Sequence, residues 1–98
     1  MKITITQNEN VLNVAMEGRL DTETAPQLEA EIKPYLSQVN EIVYDCEKLD
    51  YITSAGLRIM LFAHTNMHSG GVSIVRNANP VVKEVFEITG LSNLLQVE

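Results

Sequence analysis

Cysteine is nearly absent from this chain and basic residues are scarce: one Cys, and 7 Lys+Arg against 13 Asp+Glu, in 98 residues. The lone Cys46 excludes an internal disulfide and fits a reducing cytoplasm. A net charge of -6 argues against nucleic acid, whose phosphates demand basic patches. No apolar run approaches the ~20 residues that a membrane-spanning helix needs. Met1-Lys2-Ile3-Thr4-Ile5-Thr6 alternates too soon to read as a signal peptide. Repeats, low-complexity tracts and linkers are missing too. So are a glycine-rich phosphate loop, a paired-carboxylate motif and a nucleophile elbow, which disfavours an enzyme. With 45% apolar and 20% charged residues, residues 1–98 read as one cytoplasmic domain with one modest core, a monomer by default.

The apolar pattern gives the order β-β-α-β-α-β-α with a short tail. Lys2 to Gln7 sets Ile3 and Ile5 against Thr4 and Thr6, a half-buried strand. After a turn at Asn8-Glu9-Asn10, Val11 to Met16 presents Leu12, Val14 and Met16 on one face, so the two strands predict an antiparallel hairpin. Gly18-Arg19-Leu20-Asp21 breaks the pattern. A helix starts near Thr22–Thr24 with Pro26 in its first turn. Its stripe is Leu28, Ile32, Tyr35 and Leu36, and Pro34 predicts a kink or an early end. Glu41 to Cys46 is a third strand, with Asp45 near its end.

A second helix begins at Ser54 and runs to about His68, and Gly70-Gly71 turns the chain into a strand over Val72–Arg76. Asn79 caps a third helix that has Pro80 first, carries Val81, Val82, Val85, Phe86 and Ile88, and ends at Gly90. Leu94 to Val97 is either a short strand or part of a last helix. The strands alternate rather than run continuously apolar, which predicts a mixed sheet with helices mainly on one face and the other face partly open.

The start of the second helix carries the chemistry. A helix N-terminus has unpaired backbone N–H groups and a positive dipole end, and so suits a phosphate. Ser54 there reads either as an N-cap worth about 1 kcal/mol or as a place where phosphate is added. Ala55 and Gly56 are small and leave that entrance open to close approach. No His or Lys base lies nearby to make Ser54 a nucleophile, whereas a modified serine needs none, because the kinase supplies it.

Further along this helix, Leu57, Met60 and Leu61 share one face, with His64 beside them. Ala55, Ile59, Phe62 and Ala63 lie roughly opposite, either against a neighbouring helix or exposed to a partner. His64 and His68 are four apart but lack further ligands, so no metal site is predicted. Cys46 is expected to be buried and inert. Asp21 either stabilises a turn or lies beside Ser54, because both sit at helix entrances, where such a sheet gathers its loops.

The chain resembles the STAS domain of bacterial anti-sigma-factor antagonists over essentially its whole length. The most specific block is Asp45-Cys46-Glu47-Lys48-Leu49-Asp50-Tyr51-Ile52-Thr53-Ser54-Ala55-Gly56-Leu57, which looks like the family's phosphorylation loop and helix. Gly18-Arg19-Leu20-Asp21 and Asn79-Pro80-Val81-Val82 through Gly90-Leu91 support it. The resemblance implies a STAS-like mixed α/β sheet of four to five strands, no cofactor and no catalysis. It implies partner switching, in which the unphosphorylated protein binds an anti-sigma factor that is also a serine kinase of the histidine-kinase-like ATPase fold, freeing the sigma factor.

Phosphorylation at the family serine, here Ser54, breaks that complex, and a metal-dependent serine phosphatase restores it. The expected partner surface, from this resemblance together with the residue reading above, is Asp21, Thr53, Ser54, Ala55, Gly56, Arg58, Ile59 and Phe62. Thr53 departs from the family, which often has aspartate before the serine, and leaves a competing acceptor open. The alternative is an unphosphorylated STAS subunit that binds the cytoplasmic ATPase of a membrane lipid transporter without entering the membrane.

Overall fold

The computed structural model describes residues 1–68 and 70–98. The strands are β1 (Lys2–Asn8), β2 (Val11–Leu20), β3 (Glu41–Ile52), β4 (Val72–Arg76) and β5 (Gln96–Val97). The helices are α1 (Ala25–Ile32), α2 (Ser54–Asn66) and α3 (Pro80–Ile88), with 3-10 turns at Lys33–Gln38 and Leu91–Asn93. The five strands lie side by side in chain order. The β1–β2 hairpin is antiparallel, and β2–β3, β3–β4 and β4–β5 are parallel.

That order decides where the helices go. Parallel connections cross over right-handed as a rule, and here successive strands are added on the same side. The helices therefore cover one face of the sheet. Leu12, Val14 and Met16 of β2, Ile42, Tyr44 and Cys46 of β3, and Val75 of β4 bury against them, together with Leu28, Ile32, Met60, Val82 and Phe86 from the helices. The other face carries Thr4, Thr6, Asn13 and Ala15, but its centre is not open. Val43 and Ile74, opposite each other in register, are nearly buried there.

Local chemistry accounts for the ends of the elements. Pro26 sits in the first turn of α1 after its N-cap Thr24, and α1 stops at Ile32, where Pro34 forces the tighter 3-10 turn. Gly90, at φ 80°, takes the left-handed position just beyond α3. Within α3 only Val82 and Phe86 are buried, while Val81 and Ile88 of the expected stripe point outward, Ile88 being 75% exposed. The tail is a 3-10 turn followed by the two-residue β5.

Two strands are longer than their patterns predict. β2 continues through Gly18, Arg19 and Leu20, and β3 continues six residues past Cys46. The β2–β3 register slips between Ala15 and Glu17 and again between Gly18 and Arg19. At each slip β3 holds an extra residue, a bulge that interrupts inside–outside alternation. Polar Glu47, Lys48 and Asp50 therefore look like loop in sequence although the backbone stays in the ladder. Asp45 consequently lies in the body of the strand. α2 also stops earlier than expected, at Asn66.

Asn79 ties α3 to the extended end of β3. Its Oδ1 accepts from Val82 N–H at 2.8 Å, and its Nδ2 donates to the carbonyls of Leu49 and Asp50 at 3.2 and 3.3 Å. Asn79→Ala removes the cap and leaves these carbonyls without that donor. It is expected to cost about 1–2 kcal/mol, measured as a lower urea midpoint at an unchanged m-value.

Candidate functional site

The candidate site is built where β2 and β3 end. The strands are parallel, so both release the chain at the same edge of the sheet. β2 leads into Asp21, and β3 leads into Thr53 and Ser54. Thr53 N–H donates to the Leu20 carbonyl at 2.9 Å, which joins the two exits directly.

Asp21 is fixed by its own turn. Its Oδ1 accepts from the backbone N–H groups of Glu23 and Thr24 at 3.0 and 3.1 Å. The Thr24 hydroxyl accepts from Asp21 N–H at 2.9 Å and donates to the Arg19 carbonyl at 2.7 Å. Arg19 Nε lies 4.0 Å from Asp21 Oδ2, and its guanidinium stands 5.6 Å from the centre of the Tyr51 ring. The Thr24 backbone N–H, helped by Glu23 N–H, the Thr24 hydroxyl and Arg19, holds the Asp21 carboxyl below the ordinary 3.8, against a partial desolvation that raises it. Asp21 is thus ionised at neutral pH and locked in place.

Ser54 is the first residue of α2 rather than its cap. The N-cap is Thr53, in extended conformation, and it makes no side-chain capping bond. The two hydroxyls differ sharply. Thr53 Oγ1 is buried and has no hydrogen-bond partner among the described residues. Ser54 is exposed. Leu57 N–H donates to the Thr53 carbonyl at 3.1 Å, so the N–H groups of Ser54, Ala55 and Gly56 have no partner within the helix and no side-chain cap.

Gly56 corrects an expectation. It does not face outward to admit a partner but is buried against the sheet. A Cβ at this position would come 2.5 Å from Leu20 Cγ and 3.1 Å from Ile52 Cγ1. Glycine therefore lets the helix entrance sit directly on the ends of β2 and β3. The buried stripe of α2 is Gly56, Leu57, Met60 and Ala63. Ala63 takes the inward place that periodicity offered to Leu61, which is 39% exposed.

Ala55, Ile59 and Phe62 are half-buried and pack on the core from the other side of α2. A groove of about 240 Å³ runs between the two helix entrances. Thr22, Ala25, Pro26 and Glu29 form one wall, and Ala55, Arg58 and Ile59 form the other. Thus the structure gathers Ala55, Arg58 and Ile59 at one groove, with Asp21, Thr53 and Ser54 at its end of the sheet. Gly56 is placed beneath the surface.

The remaining candidates lie elsewhere. His64 Nδ1 shares a 2.9 Å hydrogen bond with the buried Ser73 hydroxyl, and His68 lies beyond the end of α2. Burial, reinforced by Asp45, pushes the Cys46 thiol up to about 12, which keeps it protonated and unreactive. Sequence reasoning missed the α1 wall of the groove. Pro26 was visible there only as a helix-start residue, and nothing local marks Thr22 or Glu29 as neighbours of α2.

With this geometry in view, the comparisons are specific. A model of the STAS domain matches residues 2–98, and the chain belongs to the STAS domain family. One relative is BtrV of Bordetella bronchiseptica, named provisionally as an anti-sigma factor antagonist, which is 33% identical over 99% of this chain and 85% of its own length. Another is the anti-sigma-B factor antagonist of Bacillus subtilis, 24% identical over 99% of this chain and 90% of its own. The solved structure of the anti-sigma factor antagonist SpoIIAA in its unphosphorylated form superposes with a TM-score of 0.86 at 22% identity, covering 99% of this chain and 88% of that one. SpoIIAA of Bacillus in the phosphorylated form gives 0.77 at 21% identity, over 99% and 91% of the two chains. No helix among the described residues is long and apolar enough to cross a membrane.

Two outcomes follow from the site. Gly56→Ala gains about 1 kcal/mol of helix propensity but overpacks Leu20 and Ile52 by about 1–3 kcal/mol. Chemical denaturation is expected to show a net loss of stability. For Asp21, the lowered carboxyl contributes stability above the unfolded value of 3.8 that is lost as pH falls through its folded value. An NMR titration of its side-chain carbon should give a midpoint below 3.8, and Thr24→Val should move that midpoint upward.

Proposed function

We propose that this chain is an anti-sigma factor antagonist of a partner-switching pathway, controlled by phosphorylation at Ser54. Unmodified, it binds an anti-sigma factor that is also a serine kinase of the histidine-kinase-like ATPase fold, and so frees the sigma factor. A metal-dependent serine phosphatase reverses the modification. The chain itself catalyses nothing and acts in the cytoplasm as a monomer. The partner surface is the edge around Asp21, Thr53 and Ser54 and the groove wall of Ala55, Arg58 and Ile59, with Phe62 further along α2.

One observation carries the reading. At the entrance of α2, Ser54 is an exposed residue, whereas the hydroxyl of the adjacent Thr53 is buried. A kinase must reach the oxygen it modifies, which supports Ser54 rather than Thr53 as the acceptor. The relatives named as anti-sigma factor antagonists support the pathway, and SpoIIAA, known in an unphosphorylated and a phosphorylated form, supports the modification.

The physics of the switch is electrostatic. Phosphoserine carries about -1.5 to -2 charges at pH 7. At the first residue of α2 it meets a positive dipole end and three free N–H groups, so the fold accommodates it. In the complex it sets a hydrated dianion against the partner, next to the ionised Asp21, and desolvation and like-charge repulsion weaken binding.

Intact-mass analysis with site mapping of the protein from its native cells tests this. The expected result is a single phosphatase-removable phosphate on Ser54; a phosphate on Thr53, or none under growth, starvation and stress, would overturn it. Against the cognate anti-sigma factor, Ser54→Asp should lose at least about tenfold in affinity, ~1.4 kcal/mol, while Ser54→Ala stays near wild type.

A further inference from the structure

Arg58 is the one cation among the residues lining the groove between α1 and α2. It is exposed, and the two salt bridges among the described residues, Arg19–Asp21 and Arg76–Glu98, leave it free. It also stands four residues after Ser54 within the same continuous helix. Residues four apart on a helix are neighbours on its surface, and an anion placed N-terminal to a cation at this spacing is the favourable orientation. Arginine presents a planar fork that matches phosphate oxygens.

We propose that Arg58 captures the phosphate of modified Ser54 and that this capture withdraws the groove's cation from the partner. The inference rests on the reading of Ser54 as the acceptor and adds the regulatory device. In the unmodified protein Arg58 makes no salt bridge among the described residues, although Glu29 stands on the opposite wall of the groove, and its guanidinium is available to an acidic group of the partner across the groove. After modification a dianion lies one turn away on the same helix. The partner then loses its cation as well as meeting a new negative charge. A neutral residue at position 58 would leave only the repulsion.

The direct test needs no partner. Phosphoserine is installed at position 54 during translation, and the phosphorus resonance is followed against pH in the wild-type background, in Arg58→Lys and in Arg58→Gln. Pairing with a cation favours the dianion. The second phosphate ionisation should therefore lie lower in wild type than in Arg58→Gln by at least about a third of a pH unit, with Arg58→Lys between them and the difference shrinking as salt is raised. Identical titrations in the three backgrounds would overturn the capture.

A double-mutant cycle on binding to the cognate anti-sigma factor separates this inference from the reading beneath it. Capture predicts that the affinity lost on Ser54→Asp is at least about threefold smaller in the Arg58→Gln background than in wild type. An equal loss in both backgrounds would refute capture and leave the charge switch standing. No loss in either would refute the switch itself.

Discussion

The hydrogen bond from Thr53 N–H to the Leu20 carbonyl, with Gly56 seated on Leu20 and Ile52, is the joint on which the site depends. It fastens the exit of β2 to the exit of β3 and presses the start of α2 against both. Neither β2 nor β3 alone makes a site. Their parallel pairing sends both chains out at one edge, and the joint fixes the spacing between the Asp21 turn and the first turn of α2. A side chain at position 56 would lift the helix from the strand ends and separate these two turns. The glycine thus serves the outer surface by what it permits underneath.

Much of this was legible in the sequence. Alternation in Ile3, Ile5, Leu12, Val14 and Met16 gave the hairpin, and Pro26, Pro34, Asn79-Pro80 and Gly90 marked helix boundaries where the structure has them. A mixed sheet with helices on one face follows from the same patterns. The illegible parts share one cause, which is that they depend on pairing between distant segments. The extra β3 residues at the bulges break alternation, so Glu47 to Ile52 reads as loop until its ladder with β2 is seen. Whether Gly56 faces a partner or the core turns on where Leu20 ends up, and Leu20 is far away in the chain. By type Ser54 is the better capping residue of the two; only the backbone makes Thr53 the cap and hides its hydroxyl.

The charge arrangement follows the same logic. A carboxylate, Asp21, is held ionised and immobile by its own turn. A short way off, the exposed Ser54 stands among N–H groups without a partner in the helix, and one turn further on is Arg58, which makes no salt bridge among the described residues. Under the proposed function, the unmodified surface would offer a partner an alternation of negative, neutral and positive groups. Converting the neutral group to a dianion changes that alternation without asking the core to repack, because the helix dipole and free amides already favour an anion there. A modification at the other end of α2 would meet the negative end of the dipole and disturb the helix itself.

The most direct test of this account is amide hydrogen exchange on the unmodified protein and on the protein carrying phosphoserine at position 54. A switch that acts on a preformed surface predicts changes confined to the first turn of α2 and the Asp21–Thr24 turn, with protection in β2, β3 and β4 unchanged. Loss of protection spreading through β3 and the core strands would contradict it, because the modification would then act by loosening the fold rather than by recharging its surface.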